Sequence, residues 1–363
     1  MNIQRITALR QALHQIPERS DQEKQTLETL LSCLRAETTL ELHPKEGWFY
    51  ALHREPNATQ TIAVRADMDA IENSHGILFH GCGHDGHSAI LAGLGLALEG
   101  ACWGKNVCLV FQPGEETGTG GARVCRELLA ELRPDAILGF HNIPGKPLGT
   151  VLVRENTFAC ASMGLLLQIQ GQQSHAAYPE QGRNPAFLLS ELVLRLPTMI
   201  ASITHNRPER LLMATVVQLK VGERNFGVSA GTGELSLTLR AYRQEDMEAL
   251  EREILQLTGR ECEKTGMTFR VQRQDVFPDT VNPPAFCTRV TELLRKAAIP
   301  TQTLAEPMRW SEDFGWYLQK LPGMYLGLGA GEAHCGLHTD GYEFPDTLLE
   351  PAVETLLTLV RGL

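Results

Sequence analysis

The sequence predicts an α/β protein, a mainly parallel sheet interrupted by an α+β insert, on three observations. Short runs of Val, Ile, Leu and Phe alternate with helical stretches over the first part of the chain, the pattern of a parallel sheet with crossover helices. Three of these runs end in acidic residues or a histidine, and in open α/β sheets sites form beyond the carboxyl ends of the strands. The texture changes near residue 159 and changes back near Phe277, so a second domain of roughly a hundred residues, an ordinary size, is inserted into the first. The expected division is 1–158 plus 275–363 for the discontinuous first domain and 159–274 for the insert.

The elements follow in order. Ile6, Leu9, Leu13 and Ile16 repeat at helical spacing, Pro17 breaks the pattern, and a second helix runs over Glu23–Leu34. Thr61–Val64 is a short buried strand ending in Asp67 and Asp69, and small and aliphatic residues from His87 to Leu98 predict a buried helix. Val107–Phe111 is a second strand, ending in Glu115 and Glu116. Ala122–Leu132 is helical, and Ala136–Phe140 is a third strand, ending in His141. In the insert, Leu165–Gln170, Leu211–Lys220 and Glu234–Tyr242 read as strands, Pro185–Pro197 and Glu245–Gly259 as helices. The chain then returns with a helix over Pro284–Ala298, another beginning near Glu312, and a strand at Gly323–Gly329.

Composition narrows the function classes. The 363 residues carry 33 Lys plus Arg against 43 Asp plus Glu, a formal net charge of −10. The acidic residues are scattered, and no basic run interleaves with aromatics, so no nucleic-acid surface is expected. The N-terminal residues show no apolar core or cleavage-site pattern of a signal peptide, and the apolar run Ala89–Leu98 is too short to cross a bilayer, so no membrane association is expected. Nine cysteines at irregular spacing, mostly in apolar contexts, suit a reducing cytoplasm.

The chemistry concentrates in His80-Gly81-Cys82-Gly83-His84-Asp85-Gly86-His87. Its glycines let the backbone bend so that alternate side chains face one centre, and a thiolate with imidazoles is a good donor set for zinc or a similar divalent ion. Glu115 and Glu116 follow Gln112-Pro113-Gly114, and adjacent carboxylates invite a division of labour, one on a metal and one as general base. Each alone has a plainer reading: an acidic pair at a helix start, a strand-end histidine at His141, or salt-bridged Asp67 and Asp69. Asp69 would otherwise orient a ligand histidine. Near the C-terminus His338 competes with His334 and Cys335 as a further ligand, and the chemistry of the residues does not choose among them.

Taken together, these segments closely resemble the metallo-amidohydrolase family of hippurate hydrolase, indole-acetyl-amino-acid hydrolase and bacterial aminoacylase. The likeness rests on Arg65-Ala66-Asp67-Met68-Asp69-Ala70, the His80–His87 segment, Gln112–Glu116 and Gly139-Phe140-His141. It extends to Leu13–Glu18 with Glu23 behind it, to Ser311-Glu312-Asp313-Phe314, and to Gly336-Leu337-His338. The resemblance implies a catalytic domain of zinc-peptidase type and an inserted lid or dimerisation domain. It implies two divalent ions, manganese or zinc, held by Cys82, His84, Glu116, His141 and His338, with Cys82 between them. Glu115 would be the general base and Asp69 a supporting carboxylate. His175, in Gly171–Pro179, would help polarise the scissile carbonyl, reaching the site from the partner subunit in dimeric relatives. Asn225 and Arg240 would meet the polar end of the substrate, and a homodimer through the insert is possible.

Four departures stand out. Ile71-Glu72 replaces the usual Leu-Pro, and the segment Asn73–Phe79 before the His-Gly-Cys motif is abbreviated, with Phe79 in place of Met. Thr238-Leu239-Arg240 lacks the customary Gly-Thr before Arg. The expected activity is hydrolysis of the amide bond of N-acyl amino acids or similar small conjugates. The competing readings are a dipeptidase or aminopeptidase-like activity, and a metal-binding relative without catalysis. A thiol enzyme using Cys82 is disfavoured, since a bridging thiolate is not free to attack.

Overall fold

The computed structural model describes residues 2–205, 207 and 209–363. The chain divides into two compact units, Met1–Phe158 with Thr280–Pro307 and Glu312–Leu363, and Ala159–Asp279 with Met308–Ser311. The first part of the chain forms α1 (Ile3–His14), α2 (Lys24–Glu37), β1 (Glu41–Pro44), β2 (Phe49–His53) and β3 (Thr61–Asp67). A two-residue pair, β4 (Ile71–Glu72) and β5 (Leu78–Phe79), leads into α3 (His84–Ala97). Then come β6 (Asn106–Gln112), α4 (Gly120–Glu131), β7 (Ala136–Ile143) and β8 (Val151–Val153). The middle of the chain supplies β9 (Asn156–Gln170), α5 (Ala186–Thr204), β10 (Leu212–Val221), β11 (Thr232–Ala241), α6 (Gln244–Thr265) and β12 (Thr268–Phe277). The last part gives β13 (Thr280–Asn282), α7 (Pro284–Lys296), β14 (Thr301–Thr303), β15 (Met308–Ser311), α8 (Gly315–Leu318), β16 (Gly323–Gly329) and α9 (Leu349–Gly362).

The first unit is built on an eight-stranded sheet in the order β1-β2-β6-β3-β7-β16-β8-β14. Its centre, β6-β3-β7-β16, is parallel, and β1, β2 and β8 add antiparallel pairings. Parallel strands are covered on both faces, which is why β3, β7 and β16 are buried along their whole length and read as continuous apolar runs. Along β6, Val107, Leu109 and Phe111 enter the main core with Ile90, Leu91 and Leu94 of α3. The alternate residues Cys108 and Val110 turn to the opposite face and are also fully buried. The helix α3 is buried on every side from His84 to Gly95, the mark of a helix enclosed by a core.

The second unit holds an antiparallel sheet in the order β10-β11-β9-β12, with β15 beside β9 in parallel. Alternate residues Leu235, Leu237 and Leu239 of β11 join Leu165, Leu167 and Ile169 of β9 beneath α5 and α6 in a core of their own. After β12 the unit continues to Asp279, and β15 returns to it from the later chain.

Three local expectations change. The helix expected near Glu312 is only the short α8, Gly315–Leu318. The helix α5 does not stop at Pro197 but continues through it to Thr204; proline costs an internal helix its i−4 hydrogen bond, and the buried Leu188, Leu189, Leu192 and Leu196 anchor the face that outweighs this. Among the described residues, that 19-residue helix is the one long and apolar enough to cross a membrane, which Ala89–Leu98 is not, and one face of it is buried in the second core.

Candidate metal centre

The expected donors of the first unit come together at one end of the sheet. Asp67 ends β3, Asp69 follows it, Glu115 and Glu116 lie in the loop after β6, and His141 sits within β7. Cys82 and His84 arrive on the turn that opens α3, and His338 on the loop after β16. The turn requires Gly83: its φ is +92°, and a Cβ there would stand 2.7 Å from the Tyr342 hydroxyl. His338 itself has φ +60°, and its N–H donates to the Gly81 carbonyl at 2.8 Å, fastening its loop to the same turn.

The geometry separates two donor groups that share one sulfur. Cys82 Sγ lies 3.3 Å from His141 Nε2 and 3.3 Å from His338 Nε2. Cys82, His84 and His141 form one compact set, and Cys82, Glu116 and His338 another. His84 Nε2 is 3.8 Å from Glu116 Oε1, and His338 Nε2 is 3.6 Å from the same oxygen. Of the rivals to His338, His334 turns its Nδ1 to the neighbouring Cys335 carbonyl at 3.1 Å, and both it and the exposed Cys335 lie outside the two sets.

These residues fit divalent cations. Among the described residues His84 Nε2 and Glu116 Oε1 are buried without a hydrogen-bond partner, a costly arrangement for polar atoms unless something else meets them. Nitrogen, oxygen and sulfur ligands about 2.0–2.3 Å from one ion stand roughly 3–4 Å from each other, the spacing found here. On the far side of the ring His84 Nδ1 meets Asp69 Oδ1 and the Asp69 carbonyl, each at 3.0 Å, so Nε2 is the nitrogen presented to the centre. Asp69 is held in turn by Ser20 Oγ at 2.6 Å and by the Glu116 N–H at 3.0 Å.

The electrostatics ask for positive charge. Burial alone would lower the His84 pKa, but Asp67, Asp69 and Glu116 outweigh it and push it up to about 10. Burial, reinforced by Glu116 and Glu115, holds the Cys82 thiol well above its usual range. Burial, with Glu312 and Glu116 nearby, raises the Glu115 carboxyl in the same way. Burial keeps His141 neutral, the form in which imidazole binds metals.

A buried network under the centre was not assigned from the sequence. Arg65, fully buried, pairs with Asp67 at 2.7 Å, Glu312 at 3.1 Å and Asp313 at 2.5 Å. Asp313 also accepts from Gln112 Nε2 and from the Gly121 N–H, and Glu312 from the Tyr325 hydroxyl. Glu115, Glu312 and Asp313 lie close enough to count as one carboxylate cluster. His87 sits between Asp67 and Asn142, and Asn142 bonds Tyr342. The pairing of Arg65-Ala66-Asp67 with Glu312-Asp313 in the motif set was the one signal available for this network.

The remaining expected residues belong to the second unit. His175 is exposed on a loop, its Nδ1 accepting from the Ala177 N–H at 3.0 Å. Its backbone bridges to Val228, and Ala176 N–H donates to Gly227 at 3.0 Å, which brings the Asn225 loop alongside. Asn225 spends its side-chain oxygen on the Gly227 N–H. Arg240, in β11, donates to the Arg309 carbonyl at 2.5 Å and to Ser311 Oγ at 2.8 Å.

An α/β sheet that gathers this donor set at one end places the protein among the divalent-metal hydrolases. Residues 63–362 match the peptidase family M20/M25/M40, and the chain belongs to that family. It is 30% identical to the N-acetyldiaminopimelate deacetylase of Bacillus subtilis (strain 168), covering 100% of this chain and 98% of the relative. It is 28% identical to the N-acetyl-L-cysteine deacetylase of the same organism, over 91% of this chain and 81% of the relative. In fold it is similar to an aminohydrolase structure from methicillin-resistant Staphylococcus aureus, at a TM-score of 0.89 and 24% identity, covering 99% and 96% of the two chains. It is also similar to a Bacillus subtilis dinuclear metal-binding peptidase of the M20 family, at a TM-score of 0.81 and 23% identity, covering 99% and 97%. The protein is thus a metal-dependent amidohydrolase with a small-molecule substrate.

Proposed function

We propose that the protein hydrolyses the amide bond of N-acyl amino acids, with a short acyl group such as acetyl, through a water activated between metal ions and Glu115. The observation that carries this reading is the buried Glu115, whose Oε2 lies 4.0 Å from His84 Nε2 while the adjacent Glu116 turns its own oxygen to His84 and His338. One carboxylate of the pair is a ligand and its neighbour is left to handle protons. The deacetylase relatives favour an acetyl group as the acyl part over a dipeptide substrate.

Cys82, His84, Glu116, His141 and His338 would hold two ions, manganese or zinc, with Cys82 common to both donor groups. Bound there, the ions would supply a Lewis acid that lowers the pKa of a water and polarises the acyl carbonyl. Glu115 takes the proton of the attacking water and later delivers it to the departing amine. Asp69 keeps His84 in one tautomer and orientation. His175 is assigned the developing oxyanion, and Asn225 and Arg240 the α-carboxylate, for which a guanidinium is the natural fork. Arg240 must then exchange part of its present bonding to Arg309 and Ser311 for substrate.

A homodimer through the second unit forms part of the same proposal. Phe187 and Leu194 on α5 are 79% and 78% exposed, and Val217 on the edge strand β10 is 65% exposed. Such a run of exposed apolar residues beside an open strand edge is a surface that partners cover. All nine cysteines are free, in keeping with a cytoplasmic protein.

Amine release from N-acetyl, N-benzoyl and indole-acetyl amino acids and from dipeptides, with manganese- and zinc-loaded protein, tests the reading. Turnover of acylated amino acids ahead of dipeptides is expected; a clear preference for dipeptides, or no turnover with metal bound, would sink it.

A further inference from the structure

The segment between α1 and α2, Gln15–Glu23, takes no part in the proposed chemistry, yet it is tied to both loops that carry it. Ala70 N–H donates to the Glu18 carbonyl at 2.8 Å, and Ser20 Oγ to Asp69 Oδ2 at 2.6 Å. Asp21 accepts from Thr119 Oγ1 at 2.9 Å and from Arg123 at 2.8 Å, on the far side of the loop after β6. Glu23 reaches furthest in. It is only 4% exposed, its Oε1 accepts from the Gly114 N–H at 2.8 Å, and its Oε2 is buried without a hydrogen-bond partner among the described residues.

Gly114 is the residue from which Glu115 and Glu116 depart. Its φ is +63°, a left-handed conformation, and the orientation of its peptide sets the direction of the next two side chains. We infer that Glu23 is a positioning residue: by holding the Gly114 amide it fixes the base Glu115 against His84, while the ligand Glu116 is held separately by its own N–H bond to Asp69. The inference rests on the functional reading above, because it gives a role to the residue that places the proposed base.

The hydrogen bond needs an acceptor oxygen but not a negative charge. Burial, reinforced by repulsion from the like charge of Asp69, raises the Glu23 pKa to about 8, so the side chain is mainly a carboxylic acid at pH 7. Glutamine keeps the acceptor oxygen and the length of the side chain. Alanine removes the acceptor and leaves the Gly114 N–H buried and unpaired.

The test compares Glu23→Gln and Glu23→Ala in the full, metal-loaded protein by kcat, KM, metal content, Tm and amide exchange at Gly114–Glu116. Misplacing a catalytic group is costly, so Glu23→Ala is expected to lower kcat about tenfold or more. KM should change by less than about twofold, as it does when an interaction specific to the transition state is lost. Metal content should stay unchanged, and Gly114–Glu116 should exchange faster. Glu23→Gln should keep kcat within about threefold of wild type and keep the exchange slow. Wild-type kcat in Glu23→Ala, equal impairment of both variants, or a parallel loss of metal and Tm would each overturn the inference. Should Glu23→Ala fail to fold, Glu23→Asp, which withdraws the oxygen by one methylene, takes its place. If the wild type turns over no substrate, the functional reading fails, and exchange alone then decides: faster in Ala but not in Gln sustains the positioning role, unchanged in both overturns it.

Discussion

His84 and Asp69 face each other through a 3.0 Å contact between Nδ1 and Oδ1, and this pair sets the polarity of the whole centre. With Nδ1 occupied, the ring presents Nε2 to Glu116 and Glu115. The same carboxylate takes the Glu116 N–H, so one side chain orients two of the donors.

Replacing Asp69 by Asn therefore reaches both. Loss of a carboxylate that orients a ligand histidine weakens metal affinity by about 10–100-fold. Competition with a chromogenic chelator should show a loss of this size in Asp69→Asn, with the fold retained by circular dichroism.

Metal binding should release protons. His84, raised to about 10, and Cys82, raised by burial and by Glu116, both carry protons at pH 7, whereas the ligand forms are deprotonated. Affinity must then rise with pH through the neutral range. Calorimetric titration in buffers of different ionisation enthalpy should report proton release, and a pH-independent affinity would contradict the assignment of these two residues as ligands.

Arg65 is the keystone of the buried network. Removing one partner of a buried charge cluster leaves the others uncompensated, at a cost of about 3–5 kcal/mol. Arg65→Met strands Asp67, Glu312 and Asp313 together. Urea denaturation of the metal-free protein should show a loss in that range.

Much of the centre could be read from the chain because its donors cluster within short segments. His80–His87 packs them into eight positions, and the strands β3, β6 and β7 announce themselves as continuous apolar runs since both faces are buried. The Arg65 network could not be found that way: its carboxylates at Glu312 and Asp313 are joined to Arg65 only by the topology of the sheet. The antiparallel β1–β2 ribbon is not legible in the sequence either, because Glu41–Pro44 has no regular burial alternation. Glu23 was visible only as one acidic residue behind a motif, since its partner is a backbone amide, which carries no signature in sequence.

The apolar surface of the second unit makes a separate prediction. A charge placed in a dimer core disfavours association, so Leu194→Glu combined with Val217→Lys should shift the protein to monomer by light scattering. Unchanged mass would remove this face from the proposal.

The most direct test of the account is Glu115→Gln, which keeps the shape and removes the base. General-base catalysis contributes about 10²–10⁴-fold, so turnover of an N-acetyl amino acid should fall by that factor while metal stoichiometry, measured by plasma mass spectrometry, stays at the wild-type value. Turnover near wild type in Glu115→Gln, or loss of metal along with activity, would contradict the division of labour between Glu115 and Glu116 on which the mechanism stands.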